Sequence, residues 1–307
     1  TGSTIDASGV TFEATQGVTL VLEGAAAADT ITGSALNDTI SSGSAAGNGG
    51  GADAYDGGAG TDTFLAAGMH AVTETGSAAA STGVVVNLGA TAISGTAVFT
   101  KAADYISGGL TEVPTSTITY TYAADAAGNA ATVSTIVNVE NITGTIGADY
   151  IVGGTGANTI SSNGGNDYII GGAGADTITG GGGTDTIVIA SADTGSTIAE
   201  ADSVATFTTT TDKLSLGVAG TNANYTEVAG VNADTFTDAA ADANTAMNGT
   251  IKYVFINGLD VLVGTGGADG ADGALFIDAD LNGTYDDVIV LTGAAANTYL
   301  AFGDIIA

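Results

Sequence analysis

The sequence predicts an all-β chain coiled around a short repeat, with strand modules between the coils and little helix. Three observations carry this reading. Asp and Ile recur at fixed phase every nine residues over part of the chain, and Thr, Val, Ile and Tyr dominate much of the remainder. The 49 Gly and single Pro put turns where Gly permits them rather than where Pro imposes them.

The repeat is clearest from Gly144 to Val188, where five nonapeptides run without a break: GTIGADYIV, GGTGANTIS, SNGGNDYII, GGAGADTIT and GGGGTDTIV. Position six holds Asp149, Asn158, Asp167, Asp176 and Asp185, and position eight holds Ile151, Ile160, Ile169, Ile178 and Ile187. A weaker block lies earlier: GAAAADTIT from Gly24, GSALNDTIS from Gly33 and GGAGTDTFL from Gly57. NGGGADAYD from Asn48 joins this register only if six residues are inserted after Ser41, an insertion expected to interrupt the first array. The acids of this block are Asp29, Asp38, Asp53 and Asp62.

A period of nine reads as a six-residue turn plus a three-residue strand, two units closing one coil. Strand side chains alternate between faces, so the Ile at position eight points inward and residues eighteen apart stack in neighbouring coils. One Ile per half-coil gives roughly 1.5–3 kcal/mol of burial, against about 1–2 kcal/mol of backbone entropy for every residue ordered. Something else must hold such a coil. Stacking places Asp149, Asp167 and Asp185 on one edge, and Asn158 with Asp176 on the other. Stacked carboxylates repel unless a cation lies between them. Gly-rich turns, here through Gly153, Gly156, Gly171, Gly174, Gly180 and Gly183, can aim backbone carbonyls at that cation. Carboxylate and carbonyl oxygens without His or Cys make a cage for a hard ion, and six to eight flexible ligands favour Ca²⁺ over Mg²⁺. A flexible Gly-rich linker would not hold Ile at one phase through five repeats. Asn158 is expected to weaken its edge, so the two edges should bind unequally.

Composition narrows the function. The net charge of −30 arises because Lys101, Lys213 and Lys252 are the only bases among 307 residues. No basic patch exists for nucleic acid or anionic lipid, and no apolar run is long enough to span a membrane. There is no Cys, hence no disulfide or thiolate chemistry. An acidic halophile-type surface is the plain reading of the charge, but these acids are periodic. No secretory signal opens the chain, and Thr1 in place of Met reads as a fragment or processed product. His70 is the sole histidine; HExxH and GxSxG are both absent. With no Trp and few aromatics to line a cleft, catalysis is not expected.

The segments divide as 1–65 (N-terminal strands and first, interrupted array), 66–139 (a β-rich insert), 140–190 (second array) and 191–307 (a C-terminal β module). TSTITYTYAAD (Thr115–Asp125) and TVSTIVNVENI (Thr132–Ile142) alternate at period two and flank a DAAGN turn. GTIKYVFINGLDVLVG (Gly249–Gly264) reads as a hairpin across Asn257-Gly258. DAAADANTAM (Asp238–Met247) reads as the one helix, with Asp238 as N-cap. DADLNGTYDD (Asp278–Asp287) begins like an EF-hand loop, but Ile289 stands where the bidentate Glu belongs. A Ca²⁺ loop on strands, using Asp278, Asp280, Asn282 and Asp286, is preferred to a plain acidic turn, and Asp269 or Asp272 upstream could add ligands.

The nonapeptides resemble the RTX (repeats-in-toxin) calcium-binding family. The match covers Gly144–Val188 strongly and Gly24–Leu65 moderately, with Thr145 and Ile146 atypical at its entry. The resemblance implies a parallel β-roll with Ca²⁺ in the turns and export by a type I system that reads a C-terminal signal. ALFIDADLNGTYDDVIVLTG resembles the last segment of RTX exoproteins, and the terminal DIIA (Asp304–Ala307) resembles such a signal, which would make Ala307 a true end. Composition and repeats together are most similar to Gram-negative S-layer proteins of the Caulobacter type. That likeness implies a secreted, cell-surface structural protein, exported unfolded and assembled with copies of itself when it meets Ca²⁺, with lipopolysaccharide bound through a region absent here. The alternative is the C-terminal export and folding module of an RTX exoenzyme or toxin. An adhesin or ice-binding solenoid would need longer outward Thr arrays than Thr159 and Thr177 begin.

Overall fold

The computed structural model describes residues 4–9, 20–23, 28–41, 52–66, 83–90, 93–94, 112–113, 117–121, 133–190, 193–229, 236–259, 272–292 and 300–307. His70, the DAAGN turn, the residues inserted around 43–47 and Asp269 lie outside this set. The chain forms two compact units, Thr1–Thr155 with Thr159–Tyr168, and Gly156–Asn158 with Ile169–Ala307.

The first unit contains β1 (Thr4–Asp6), β2 (Val21–Glu23), β3 (Thr30–Thr32), β4 (Thr39–Ser41), β5 (Ala54–Asp56), β6 (Thr63–Leu65), β7 (Gly83–Asn87), β8 (Ile93–Ser94), β9 (Glu112–Val113), β10 (Thr117–Thr121), β11 (Val133–Val137), β12 (Asn141–Thr143), β13 (Tyr150–Val152) and β14 (Thr159–Ser161). One sheet runs β1-β3-β5-β11-β10-β7-β13 and the other β2-β4-β6-β12-β14. All of the second sheet's pairs in this unit are parallel. In the first sheet, β10 lies antiparallel between β11 and β7, so part of the 66–139 segment is built into the sheet. β8 and β9 form a separate antiparallel pair.

The inward positions face one another across the unit. Ile31, Ile136, Val84, Val86 and Ile151 from one sheet, and Ile40, Phe64, Ile142 and Ile160 from the other, are almost wholly buried. The rings of Tyr55 and Phe64 meet edge to face at 4.9 Å across the core. The two-unit coil holds: Ile142 stands beside Ile160, eighteen residues on. Most strand ends point outward as alternation requires; Ser41, Asn87, Thr117 and Tyr150 are buried instead, and the Tyr150 ring stacks 5.0 Å from that of Tyr168.

Two expectations change. The six-residue insertion does not break the first array. Thr30 pairs with Ala54 and Thr39 with Thr63, so this coil spans 24 residues in unbroken register. A coil closes on strand pairing and an inward side chain, and a longer loop between strands adds little closure entropy. TVSTIVNVENI is not one strand either. It turns at Asn138, whose φ is 52°, and gives β11 to one sheet and β12 to the other.

β15 (Tyr168–Ile170) begins at the boundary between the units. The second unit then holds β16 (Thr177–Thr179), β17 (Thr186–Val188), β18 (Asp202–Ala205), β19 (Lys213–Ser215), β20 (Tyr225–Ala229), α1 (Phe236–Ala246), β21 (Tyr253–Leu259), β22 (Asp272–Ile277), β23 (Asp287–Thr292) and β24 (Ile305–Ile306). One sheet runs β16-β18-β23-β22-β21-β20, the other β17-β19-β24. The roll thus passes into an antiparallel sheet through β23-β22-β21. Ala239, Ala243 and Met247 of the helical segment pack on Val254, Ile256, Phe276, Val288 and Val290. The helix starts two residues before Asp238, which sits in its first turn instead of capping it, where an acid still favours the helix dipole.

Asn257-Gly258 is not a hairpin turn. β21 runs through it, with a register shift between Asn257 and Leu259 where β22 pairs alongside. Tyr253, Val254, Phe255 and Ile256 are all buried. A strand with both faces and both edges occupied overrides a local turn signal, and the Gly becomes an irregularity in the strand.

Candidate metal centre

Each position-six residue sits just before a strand, where coils stack. At Asp53, Asp62, Asp149, Asp167 and Asp176 the side chain does something the spacing did not reveal: it accepts a backbone N–H from the preceding coil. On one edge, the N–H of Asp29 donates to Asp53 Oδ1 at 2.8 Å, that of Asp53 to Ser134 Oγ at 3.0 Å, that of Val84 to Asp149 Oδ1 at 2.8 Å and that of Asp149 to Asp167 Oδ1 at 2.8 Å. On the other, Asp38 donates to Asp62 Oδ1 and Asp62 to Glu140 Oε2, both at 2.7 Å. Within the second unit, Asn158 donates to Asp176 Oδ1 at 2.8 Å, Asp176 to Asp202 Oδ1 at 2.9 Å and Asp185 to Asp212 Oδ1 at 3.0 Å. The acids are therefore coil-to-coil staples as well as candidate ligands. All except Asp53 and Glu140 are buried, Asp29 among them at 3% exposure.

The second carboxylate oxygen divides them. Where position two of the turn is Ser or Thr, its amide caps that oxygen: Ser34 N–H to Asp38 Oδ2 at 2.5 Å, and Thr145 N–H to Asp149 Oδ2 at 2.7 Å. Thr208 caps Asp212 in the same way, at 2.7 Å. Where position two is Gly in the left-handed region, as at Gly58 (φ 97°) and Gly172 (φ 99°), Oδ2 of Asp62 and Asp176 is buried with no hydrogen-bond partner. Asp202 Oδ2 is in the same condition.

Burial dominates the electrostatics. It pushes the Asp62 and Asp149 carboxyls up to about 6 and Asp202 to about 7, and raises Asp176 and Asp193. The charges of Asp176 and Asp193 add to the rise at Asp202, and Glu140, Asp38 and Asp56 add to it at Asp62. A dry, uncompensated carboxylate oxygen is costly unless a proton or a cation meets it. With oxygen the only donor type at these turns, the residues fit a hard divalent ion.

The predicted glycines separate by role. A Cβ at Gly171 would lie 2.5 Å from Asp176 Oδ2, and one at Gly180 2.5 Å from Asp185 Oδ2. These first-position glycines leave the space that the carboxylate fills. Gly174 (φ 121°) and Gly183 (φ 132°) carry the turn itself. Gly153 is buried and Gly156 is exposed, with nothing near its absent side chain.

Asp202, Asp212 and Glu140 were missed because they follow their partners at spacings of 26, 27 and 78 residues instead of eighteen. An acid followed two residues later by an inward apolar residue (Asp202 and Val204, Asp212 and Leu214, Glu140 and Ile142) is the signal that would have found them.

The C-terminal loop joins β22 to β23, strands and not helices. Carboxylate oxygens of Asp278, Asp280 and Asp286 lie within 4.8 Å of one another. Asp278 accepts from the N–H groups of Asn282 and Gly283, and Asp286 Oδ2 from Ala279 and Asp280. Asn282 Oδ1 accepts from Thr284 N–H, so its side chain closes the loop from within. Asp272 opens β22.

The chain matches the family model for the RTX calcium-binding nonapeptide repeat over residues 21–46, 143–178 and 161–188. No curated protein matches it. Among solved structures it is similar to the AlgE6R3 subunit of the mannuronan C5-epimerase from Azotobacter vinelandii, at 21% identity and a TM-score of 0.35, over 54% of this chain and 76% of that one. It is also similar to the extracellular lipase LipA from Serratia marcescens, at 14% identity and a TM-score of 0.23, over 95% of this chain and 39% of that one. Residues 21–46 and 143–188 thus carry RTX calcium-binding nonapeptide repeats, and Ca²⁺ is the ion such repeats bind.

Proposed function

We propose that the chain is a secreted, non-catalytic structural protein that folds on meeting extracellular Ca²⁺ and associates with copies of itself into a surface (S-layer) lattice. The observation that carries this reading is the set of buried, unpartnered Oδ2 atoms at Asp62, Asp176 and Asp202. A roll that buries anions without bases to neutralise them is poorly stable until an external cation binds, and binding then stabilises it by linkage. Repeats of this kind are typical of secreted proteins, and no helix among the described residues is long and apolar enough to cross a membrane. Low Ca²⁺ would keep the chain unfolded for a type I exporter, with the segment around Ile305–Ile306 read as its signal.

Association draws support from the strand edges. Among the described residues, β1 and β2 end their sheets, and Val21 in β2 is 69% exposed. Such edges favour head-to-tail addition, which extends into arrays when it does not close. Purified protein should form ordered sheets, seen by electron diffraction, in millimolar Ca²⁺ and disperse with chelator. Folding on Ca²⁺ without any association would favour the export-module reading, and Ca²⁺-independent monodispersity would overturn both.

A further inference from the structure

We infer that Asn248 and Asn282 are paired acceptor sites for N-linked glycosylation, each taking a sugar from a glycosyl diphosphate donor through a transferase. The sequence carries five Asn-x-Thr triplets, at Asn37, Asn141, Asn224, Asn248 and Asn282. In this pattern the hydroxyl two residues on marks the acceptor amide. A transferase must grip all three residues, so a triplet serves only where its backbone is free of strand pairing and its side chains reach solvent.

Three of the five fail that requirement. Asn37-Asp38-Thr39 holds a buried acid and runs into β4, and Asn37 Oδ1 accepts the N–H of Thr61 at 3.0 Å. Asn141–Thr143 is β12 itself, with Ile142 buried and both edges paired. Asn224-Tyr225-Thr226 runs into β20. The Asn224 amide is held at both ends, Oδ1 accepting from Thr221 N–H at 2.6 Å and Nδ2 donating to Ala219 O at 3.1 Å.

The other two triplets are alike. Both read Asn-Gly-Thr, one just after α1 and one in the loop between β22 and β23, and Asn248, Thr250, Asn282 and Thr284 are all exposed. Gly249 (φ 77°) and Gly283 (φ 91°) both take the left-handed region, which turns each Thr back to its Asn. Thr250 N–H donates to Asn248 Oδ1 at 3.1 Å and Thr284 N–H to Asn282 Oδ1 at 2.9 Å, and Thr284 Oγ1 also donates to Asn282 Oδ1. Each side chain is held through its oxygen, and Nδ2, the atom a sugar would take, stays out of these bonds. The two turns are neighbours: a Cβ on Gly249 would lie 3.4 Å from Leu281 O, and one on Gly283 4.0 Å from Gly249 N. Tyr285 N–H donates to Asn244 Oδ1 at 3.0 Å, tying the loop to α1. Two matching acceptor turns thus stand side by side on packed elements.

In the transfer, Nδ2 attacks the anomeric carbon of the donor sugar. The C–N bond forms as the bond from that carbon to the diphosphate oxygen breaks. The diphosphate leaves with the electron pair, and an Nδ2 proton passes to a base of the transferase. Lipid-linked and nucleotide-linked donors share this chemistry.

The test uses the full chain from the cells that make it, in its intracellular and extracellular pools. An amidase that releases N-linked sugars in heavy-oxygen water leaves a labelled Asp at each modified position, read by peptide mass spectrometry. Label at Asn248 and Asn282, with none at Asn37, Asn141 or Asn224, is expected. Label already present inside the cell assigns a nucleotide-linked donor; label confined to the outside pool assigns a lipid-linked one. Thr284→Ser should keep the label at Asn282 and Thr284→Ala should lose it, with Asn248 as the standard within the same chain. No label in either pool, label at the strand-held triplets instead, or label at Asn282 that survives Thr284→Ala would overturn the inference. None of these results bears on the calcium or lattice readings. A chain found only inside the cell would overturn the secreted reading, and the intracellular pool would still decide the acceptor sites.

Discussion

Asp202→Asn should stabilise the metal-free protein at pH 8 while weakening the Ca²⁺-bound one. The Asp202 carboxyl stands near 7 in the fold against an ordinary value of 3.8, raised first by burial and then by Asp176 and Asp193. A raised acid means that the native state holds the proton more tightly than the unfolded chain. Between about pH 4 and pH 7 the native state therefore binds more protons, and unfolding free energy falls as pH rises. Three units at about 1.4 kcal/mol each set the scale at ~4 kcal/mol for this residue. An amide imitates the protonated acid: it keeps an oxygen for the Asp176 N–H and carries no charge. In chelator, urea melts of wild type should lose stability from pH 5 to pH 8, and Asp202→Asn should lose less, ending above wild type at pH 8. With Ca²⁺ the sign reverses, because protons compete with the ion; at a hundredfold excess over Kd each site returns about 2.7 kcal/mol. A metal-free wild type whose stability is flat or rises from pH 5 to pH 8, or a variant with the same pH slope, would refute the reasoning.

Three further outcomes follow from the turns and the core. Gly174→Ala forces a side chain into φ 121° and places Cβ 2.7 Å from the backbone carbon of Gly156, so it should cost more than the ~1–2 kcal/mol of a left-handed residue alone, read from thermal or urea melts in Ca²⁺. Ile178→Ala empties a fully buried inward position and should cost about 2–5 kcal/mol, lowering the melting temperature with little change in the number of ions bound. Thr145→Val removes the hydroxyl that donates to Asp149 Oδ1 at 2.9 Å but keeps the amide that caps Oδ2; a loss of about 1 kcal/mol in metal-free urea melts is expected.

How much of this was legible can be judged from particular residues. The inward Ile at position eight and the eighteen-residue coil were readable because both are local consequences of strand alternation. The acids of the array were readable as a set for the same reason. Asp202 and Asp212 were not, because their loops are longer than the repeat, and a period-nine search passes over a residue that keeps its place in space but not in spacing. The strand through Asn257-Gly258 was misread because a two-residue turn signal is weak beside pairing on both edges. The helix was found, but its first turn was not.

The sequence by itself determined that this chain coils, which residues face inward and that its turns collect oxygen ligands, since each is set by the pleat of a strand and the phase of a repeat. Only the tertiary structure decided which carboxylates already have their hydrogen bonds and which do not. Asp38 and Asp149 take a cap from Ser34 and Thr145, while Asp62, Asp176 and Asp202 keep a buried oxygen unmet. That difference depends on the φ of one turn residue and on which distant segment, Glu140 or Asp193, is packed beside the coil. Neither is encoded in the period, because a repeat specifies what recurs along the chain, and burial is decided by what the rest of the chain brings against it.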